Sequence, residues 1–335
     1  MHGHFKEYMM DKAQQDALKK AAGIEAAKLI ENGMIAGLGT GSTVRFLVDE
    51  LGRRVKEEGL QFTGVTTSRR TQEQAEGYGI KIVDIDDVDH IDITIDGADE
   101  VDKNFNGIKG GGAALLWEKI VATNSNKIVW IVDESKVVDT IGKFPLPVEV
   151  IPFGAGHVIK QFEAKNYKPV LRLDADGKEV RTDENNFVVD LHLERIDHPQ
   201  DLAEDLINTV GVVEHGLFLN MVDKVIVGDP NGPRVMTNGN KCPNAATRRL
   251  NPGAGRPPPS RVCRRCHIQF ASASGDENVK APRPTGSRGF VCALASERLL
   301  ALVASLTQHL AVLLLAHPLA ALLDDRTHRQ PPLVR

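Results

Sequence analysis

The sequence predicts an α/β protein: an open, mostly parallel sheet with helices on both faces, a small inserted α+β domain, and a C-terminal tail expected to be disordered. Apolar strand segments alternate with amphipathic helices over residues 11–132, a pattern typical of parallel sheets. Glycine-rich or acidic motifs follow several of these strands, at the edge where such sheets bind ligands. An abrupt change in composition near residue 228 separates the tail from the rest.

The elements follow from hydrophobic periodicity and from the residues that interrupt it. Small apolar residues recur at helical spacing over residues 11–32, which predicts a helix closed by Gly33. The apolar segment 34–38 predicts a strand that leads into Gly39, and the same reasoning gives the later elements. In chain order these are helix 44–56, strand 62–67, helix 70–77, strands 80–85 and 90–95, helix 113–123, strand 127–132, helix 157–165, strands 169–173 and 187–193, helix 200–209 and strand 223–227.

Proline positions and charge divide the chain. Three prolines over 145–152 precede the second set of elements, and strand 223–227 is placed to rejoin the first sheet. We therefore predict an α/β catalytic domain over 9–143 and 214–236, a small α+β domain over 144–213, and an atypical basic tail over 237–335 outside the fold. Residues 1–228 carry 26 Lys or Arg and 39 Asp or Glu, whereas residues 229–335 carry 15 and 6.

The tail also holds all four cysteines and 12 of the 17 prolines. Cys263, Cys266 and His267 match a haem-attachment pattern, but that use would require export, and a zinc site would need a second close pair of ligands. Segment 299–315 is apolar with polar interruptions, which favours an amphipathic helix over a membrane span. We expect the tail to be an appended or read-through segment.

Composition excludes several classes of function. The first ten residues lack the apolar segment of a secretory signal, and residues 1–228 contain no cysteine for a disulfide or a thiol nucleophile. The acidic charge of this part argues against nucleic acid as a partner. We therefore expect a cytoplasmic protein that binds a small molecule, with no nucleic-acid or membrane partner.

Segment 37–43, GLGTGST, lies between a predicted strand and a predicted helix. Backbone N–H groups freed by glycine, the hydroxyls of Thr40, Ser42 and Thr43, and the helix N-terminus together predict a phosphate site. A dinucleotide fingerprint needs glycine or alanine at position 42, and a Walker A loop needs a lysine that is absent. A tight turn without a ligand is the alternative.

Charged residues follow two later strands. Asp96 and Asp99 are candidates to bind hydroxyls or move protons, with a solvated acidic turn or an oxygen-ligand metal site as alternatives. Lys109 precedes three glycines, which would let a ligand approach the backbone closely. The lysine itself would supply a cation that stabilises an oxyanion formed during a reaction. Lys136 ends another strand at the same edge, and a solvated loop lysine is its alternative.

Glu118 lies in an apolar stretch of the helix that follows the three glycines. Desolvation there would raise the pKa of its carboxyl toward the range of a general base. The helix pattern alone favours the alternative, an exposed glutamate paired with a lysine.

Taken in order, these motifs resemble the A-type ribose-5-phosphate isomerase family over about residues 11–236. The segments that carry the resemblance are GTGST at 39–43, TSRRT at 67–71, DGADE at 96–100, KGGGAAL at 109–115, EKI at 118–120, DESK at 133–136, GKFPLPVEV at 142–150 and GVVEHGLF at 211–218.

The resemblance implies interconversion of D-ribose 5-phosphate and D-ribulose 5-phosphate through an enediolate, in the pentose phosphate pathway, with no cofactor and no metal. It implies Glu118 as the general base, Lys109 as the residue that stabilises the enediolate oxygen, and Asp96 and Asp99 as groups that bind hydroxyls and assist ring opening. It also implies a homodimer or homotetramer. The substrate-binding residues that it implies are Thr40, Gly41, Ser42, Thr43, Asp96, Gly97, Ala98, Asp99, Lys109, Gly110, Gly111, Gly112 and Lys136.

Two other functions fit a site of this kind. A non-catalytic sugar-phosphate sensor would need a DNA-binding module, and the basic tail shows no helix-turn-helix pattern. A related transferase would use a glutamate as covalent nucleophile, whereas Lys109 and the two aspartates favour enediolate chemistry.

Overall fold

The computed structural model describes residues 12–239. Its α-helices are α1 Lys12–Ala27, α2 Ser42–Glu58, α3 Arg69–Gly77, α4 Leu115–Thr123, α5 Ala155–Ala164 and α6 Pro199–Ile207. Its strands are β1 Ile35–Leu38, β2 Thr63–Thr66, β3 Lys81–Ile82, β4 Ile91–Asp96, β5 Glu100–Asp102, β6 Gly107–Ile108, β7 Ser125–Asp133, β8 Val137–Val138, β9 Leu146–Val150, β10 Pro169–Leu171, β11 Phe187–Leu191, β12 Val212–His215, β13 Leu217–Phe218, β14 Lys224–Gly228 and β15 Arg234–Thr237. Two 3₁₀ turns, Ile85–Asp87 and Glu134–Lys136, complete the set.

The largest sheet has seven strands in the order β15-β14-β7-β4-β1-β2-β3. Neighbouring strands run parallel except β14 and β15, which are antiparallel. The strand predicted to rejoin the first sheet does so as β14, beside β7.

Helices cover both faces of this sheet. Successive side chains of a strand point to opposite faces, so one strand packs against helices on both sides. In β7, Val129 and Ile131 pack in the same core as residues of α1 and α2. Ile128 and Trp130 pack on the other side with Ala122 of α4. Strands buried on both faces are typical of parallel sheets, and the predicted fold class is confirmed.

A second sheet is antiparallel, with the order β10-β11-β9-β12. It has a separate hydrophobic core, in which Phe162 of α5, Val189 of β11 and Leu206 of α6 are buried. This core supports the inserted α+β domain predicted over 144–213, whose boundaries stay a prediction.

The first helix ends at Ala27 rather than at residue 32. The N–H groups of Leu29 and Ile30 bond only three residues back, and Arg54 of α2 donates to the carbonyls of Ala27 and Ile30. These bonds satisfy carbonyls at the helix end. The apolar period continues through the turn, so periodicity alone placed the end too late.

A third sheet, β13-β6-β5-β8, was not predicted. Its strands are two or three residues long, too short for an alternating pattern. This sheet carries the chain from Asp99 to Lys109, and the Lys109 N–H donates to the carbonyl of Gly216 at 2.9 Å. The predicted strand over 80–85 is also reduced to β3, because Asp84 caps a 3₁₀ turn through the N–H of Asp86.

The first two residues of the predicted tail, 237 and 238, still contact the folded part of the chain. Thr237 pairs with Lys224, and Asn238 bonds to Val222 and Asp223. The rest of the tail, with its predicted helix and cysteine motif, lies outside the described residues. Within residues 12–239, no helix is long and apolar enough to cross a membrane.

Candidate active site

A cavity of about 300 Å³ lies where β1 and β4 end, the edge at which open parallel sheets bind ligands. Its lining residues are Gln15, Lys19, Thr40, Gly41, Ser42, Thr43, Gly97, Ala98, Asp99, Lys109, Gly110, Gly111, Gly112, Glu118 and Lys136. Of the residues predicted for the site, all line this cavity except Asp96, which lies behind Lys109.

Lys109 is the centre of a buried group of charges. Its Nζ lies 3.0 Å from Oδ2 of Asp96 and 3.2 Å from Oε1 of Glu118, and donates to the carbonyl of Gly97 at 2.6 Å. Burial lowers the pKa of Lys109, but the carboxylates of Asp96 and Glu118 outweigh burial and raise it to about 12. Lys109 is therefore a permanent cation in the cavity wall.

Asp96 holds the ends of β1 and β4 together. Its Oδ1 accepts from the backbone N–H groups of Thr40 at 3.0 Å and Gly97 at 2.7 Å. With Lys109, these bonds give one carboxylate three donors. The position favours a role for Asp96 in orienting Lys109 and the loop.

We expect Gly39→Ala to damage both the fold and the site. A Cβ at Gly39 would lie 2.0 Å from Oδ1 of Asp96 and 2.6 Å from its Cα, so the loop would have to move away. Overpacking of this kind costs about 1–3 kcal/mol of stability. Chemical denaturation measures the loss of stability, and kcat/KM measures the loss of activity. The control is Gly77→Ala, whose added Cβ meets nothing within 4 Å, and normal values for Gly39→Ala would contradict the prediction.

Glu118 lies in the first turn of α4 and is 4 % exposed. Its Oε2 is buried and has no hydrogen-bond partner among the described residues. Burial raises the pKa of Glu118 from 4.5 to about 8; the charges of Asp96 and Asp99 add to this effect, whereas Lys109 opposes it. The carboxylate is thus able to gain and lose a proton near neutral pH.

The alternative of an exposed Glu118 that pairs with a lysine of its own helix is wrong, because Glu118 is buried and the lysine beside it is Lys109. Its neighbour Lys119 instead pairs with Glu214 at 2.8 Å and donates to the carbonyl of His215 at 2.6 Å. The buried side of α4 therefore carries Glu118.

Asp99 is held by the glycine-rich loop. Its Oδ2 accepts from the N–H of Gly111 at 2.7 Å, and a Cβ at Gly111 would lie 2.6 Å from its Oδ1. Gly110 has a φ of +102°, in the region that favours glycine. The three glycines thus let backbone approach a carboxylate at the cavity wall.

The segment after β1 offers groups for an anion. α2 begins at Ser42, directly after Gly41, and no side chain caps its N-terminus. Unpaired N–H groups of a first helical turn bind anions, and Lys19 and Lys136 bring two positive charges to the same cavity. The arrangement supports the predicted phosphate site.

The hydroxyl of Thr40 is used within the protein. Its Oγ1 bonds to the hydroxyls of Thr67 at 2.7 Å and Ser68 at 2.8 Å, and Ser68 caps α3 by accepting from the N–H of Thr71. This buried network fixes the loop against the end of β2, so Thr40 reaches the cavity mainly through its backbone and methyl group.

Two lining residues, Gln15 and Lys19, were not predicted from the sequence. The apolar period identified α1, but it did not show that one polar side of this helix faces the cavity. Gln15 donates to Asp133 at 3.5 Å, at the end of β7. A lysine next to the buried Leu18 was the only signal in the sequence.

Two carboxylates of the site, those of Asp96 and Glu118, pair with Lys109. Within residues 12–239, no group of three or more His, Cys, Asp or Glu side chains is arranged to hold a metal ion. The acidic motif instead places Asp96 against Lys109 and Asp99 against Gly111.

Known proteins match this chain over the described part. The family model for ribose 5-phosphate isomerase A (phosphoriboisomerase A) matches residues 63–232. Ribose-5-phosphate isomerase A of Bifidobacterium longum subsp. infantis is 94% identical over 232 residues, which are 69% of this chain and 100% of that protein. Ribose-5-phosphate isomerase A of Limosilactobacillus reuteri is 62% identical over 223 residues, 66% of this chain and 98% of that protein.

Solved structures agree. Ribose 5-phosphate isomerase A from Methanocaldococcus jannaschii matches with a TM-score of 0.63 and 41% identity, over 66% of this chain and 98% of that one. A D-ribose-5-phosphate isomerase in complex with phospho-erythronic acid matches with a TM-score of 0.64 and 41% identity, over 66% of this chain and 97% of that one. The resemblance found in the motifs is confirmed: the chain is an isomerase that belongs to the ribose 5-phosphate isomerase A family.

Proposed function

We propose that this isomerase interconverts D-ribose 5-phosphate and D-ribulose 5-phosphate, with Glu118 as the general base. The observation that carries the proposal is the buried carboxyl group of Glu118: its Oε1 lies 3.2 Å from Nζ of Lys109, and its Oε2 has no hydrogen-bond partner among the described residues. An aldose–ketose isomerisation needs one group that removes and returns a proton, and one that stabilises the oxyanion formed between these steps.

The phosphate binds where α2 begins. Ser42 and Thr43 offer hydroxyl and backbone donors, and Lys19 and Lys136 complement the charge. The sugar then extends along the loop 110–112 toward Glu118. Asp99 at the cavity wall accepts the proton of the anomeric hydroxyl and passes it to the ring oxygen as the ring opens.

Proton transfer then occurs on the open chain. Glu118 takes the proton from C2, the electron pair forms the C1–C2 double bond, and negative charge builds on O1 next to Lys109. A proton passes from O2 to O1, and Glu118 returns its own proton to C1. The ketone at C2 is the product, and Glu118 and Lys109 end as they began.

Other features of the proposal follow from the resemblance. They are a place in the pentose phosphate pathway, a cytoplasmic location, a homodimer or homotetramer, and turnover without metal or cofactor. Phospho-erythronic acid, bound in a solved relative, is a sugar-acid phosphate whose carboxylate resembles an enediolate, and we expect it to compete with ribose 5-phosphate here.

The first test is conversion of ribose 5-phosphate to ribulose 5-phosphate, with and without EDTA. Equal turnover in both conditions is the expected result. Binding without turnover would favour a sugar-phosphate sensor, and a product other than ribulose 5-phosphate would favour a transferase.

The pH dependence of kcat/KM reports the protonation of Glu118 in the free enzyme. Since only the carboxylate removes the C2 proton, kcat/KM should rise with pH and level off above about 8, the pKa that burial gives Glu118. Initial rates from pH 5 to 10 measure this curve. An acid limb near 4.5, the ordinary value for glutamate, would contradict a buried base.

A further inference from the structure

Arg172 reaches the substrate loop from the second sheet. It directly follows β10, and its Nη1 donates to the carbonyls of Gly110 at 2.8 Å and Gly111 at 3.2 Å. Its Nε donates to Oδ2 of Asp190 at 2.8 Å, and its Nη2 bonds the other oxygen of that carboxylate. Asp190 thus fixes the guanidinium plane by a bidentate contact, while the remaining nitrogen holds two consecutive carbonyls.

The two carbonyl bonds determine where the next N–H groups point. In a planar trans peptide the C=O of one residue and the N–H of the next point in opposite directions. With the Gly110 carbonyl on Arg172, the Gly111 N–H points the other way and donates to Asp99 at 2.7 Å. With the Gly111 carbonyl on Arg172, the Gly112 N–H is turned away from Arg172 in the same manner.

Gly112 lines the cavity, and its N–H has no hydrogen-bond partner among residues 12–239. We propose that Arg172, held by Asp190, is a positioning residue that turns the N–H groups of Gly111 and Gly112 toward the active site, where the Gly112 N–H donates to the bound sugar phosphate. This inference rests on the function proposed above. Arg172 itself faces the carbonyl side of the loop and touches no reacting atom.

The second sheet remains attached without Arg172. Glu184 accepts from Nε1 of Trp117 in α4 at 3.0 Å, and Asp183 accepts from the N–H of Arg69 at the start of α3 at 3.4 Å. Thr182, which lies in the same connection between β10 and β11, donates to the buried Glu149 of β9 at 2.9 Å and so ties this connection to the second sheet. Loss of Arg172 should therefore free the glycine loop and leave the rest of this contact in place.

The test compares Arg172→Ala with Arg195→Ala. Arg195 belongs to the same part of the chain and also pairs with an aspartate, Asp197 at 2.6 Å, so both variants lose an arginine and its ion pair. For Arg172→Ala we expect the KM for ribose 5-phosphate and the Kd of phospho-erythronic acid to rise together about tenfold. The fall in kcat should be smaller, and the acid limb of the pH profile should stay in place, because Arg172 does not contact Glu118 or Lys109. Arg195→Ala should match the wild type.

Asp190→Asn and Arg172→Lys give a second route if Arg172→Ala fails to fold. Asp190→Asn leaves Arg172 without its bidentate partner, and a lysine cannot hold Asp190 and two carbonyls at once. Both variants should raise KM and the inhibitor Kd, by less than the alanine variant does. Unchanged KM and Kd in folded variants, with only a lower melting temperature, would overturn the proposal.

Inhibitor affinity keeps this test separate from the proposed reaction. If wild-type protein binds phospho-erythronic acid but does not isomerise ribose 5-phosphate, the proposed function fails, while the Kd values still decide the role of Arg172. If turnover is normal and the Kd values are equal, only the role of Arg172 fails.

Discussion

Glu118→Gln should lower kcat for ribose 5-phosphate by about a thousandfold, while phospho-erythronic acid still binds. The amide has nearly the shape of the carboxylate but cannot accept the C2 proton, and loss of a general base costs about 10²–10⁴ in rate. Steady-state kinetics and isothermal titration calorimetry measure the two quantities. The contact between Oε1 and Lys109 at 3.2 Å can persist in the amide, so the cavity should keep its shape.

Glu149→Gln is the matched control. Glu149 is also a buried glutamate with one unbonded oxygen among the described residues, and burial likewise raises its pKa. It lies in β9 and does not line the cavity that holds Glu118. We expect normal turnover from Glu149→Gln. Turnover by Glu118→Gln within tenfold of wild type would rule out Glu118 as the base.

Stability against pH separates a lost base from a damaged fold. The pKa of Glu118 is about 8 in the fold against 4.5 ordinarily, so the folded protein keeps a proton that the unfolded chain releases. The wild type therefore loses stability as pH rises from about 4.5 to 8. Glu118→Gln lacks this loss, so its melting temperature should gain on that of the wild type as pH rises. An inactive variant that is more stable at pH 9 is not misfolded.

The sequence predicted the part of the site that lies in the loops directly after two strands of the parallel sheet. Segments 40–43 and 97–99 each follow a strand of one parallel sheet, and the carboxyl ends of such strands meet at one edge. Glycine and charged residues at those positions were therefore enough to predict a common site. The structure brings both segments to the cavity.

Burial and contacts across the fold were not predictable in the same way. The helix pattern favoured an exposed Glu118, because it does not show that α4 lies against Lys109 and the third sheet. The strands of that sheet are too short to show an alternating hydrophobic pattern in the sequence. Lys19 and Arg172 reach the cavity and its loop from elements remote in sequence, and neither belongs to a motif.

Lys109→Met should lower kcat about 10²- to 10³-fold, the usual loss when one group that stabilises an oxyanion is removed. The thioether keeps most of the length of the side chain but brings no charge to O1 of the enediolate. A second effect concerns the pKa of Glu118, because the ammonium group of Lys109 contacts the carboxylates of both Asp96 and Glu118. Without the ammonium group, no nearby cation opposes the effect of burial on Glu118, and the pKa of Glu118 rises further above about 8. The acid limb of kcat/KM should therefore move to higher pH, a shift that lost oxyanion stabilisation alone does not produce.

Lys119→Met is the control, because Lys119 is a half-buried lysine whose ammonium group lies near the same aromatic ring as that of Lys109. Its Nζ lies 4.8 Å from the ring of Phe218, and that of Lys109 lies 5.4 Å from the same ring. Lys119 pairs with Glu214 at 2.8 Å instead of with the carboxylates of the site. Its loss should reduce stability, since Glu214 is left without its cation, and leave kcat and the acid limb unchanged. If Lys109→Met and Lys119→Met behave alike, the effect of Lys109 is one of packing. If only Lys109→Met loses turnover and moves the acid limb upward, one ammonium group both stabilises the enediolate and keeps Glu118 ionisable at the pH where it works.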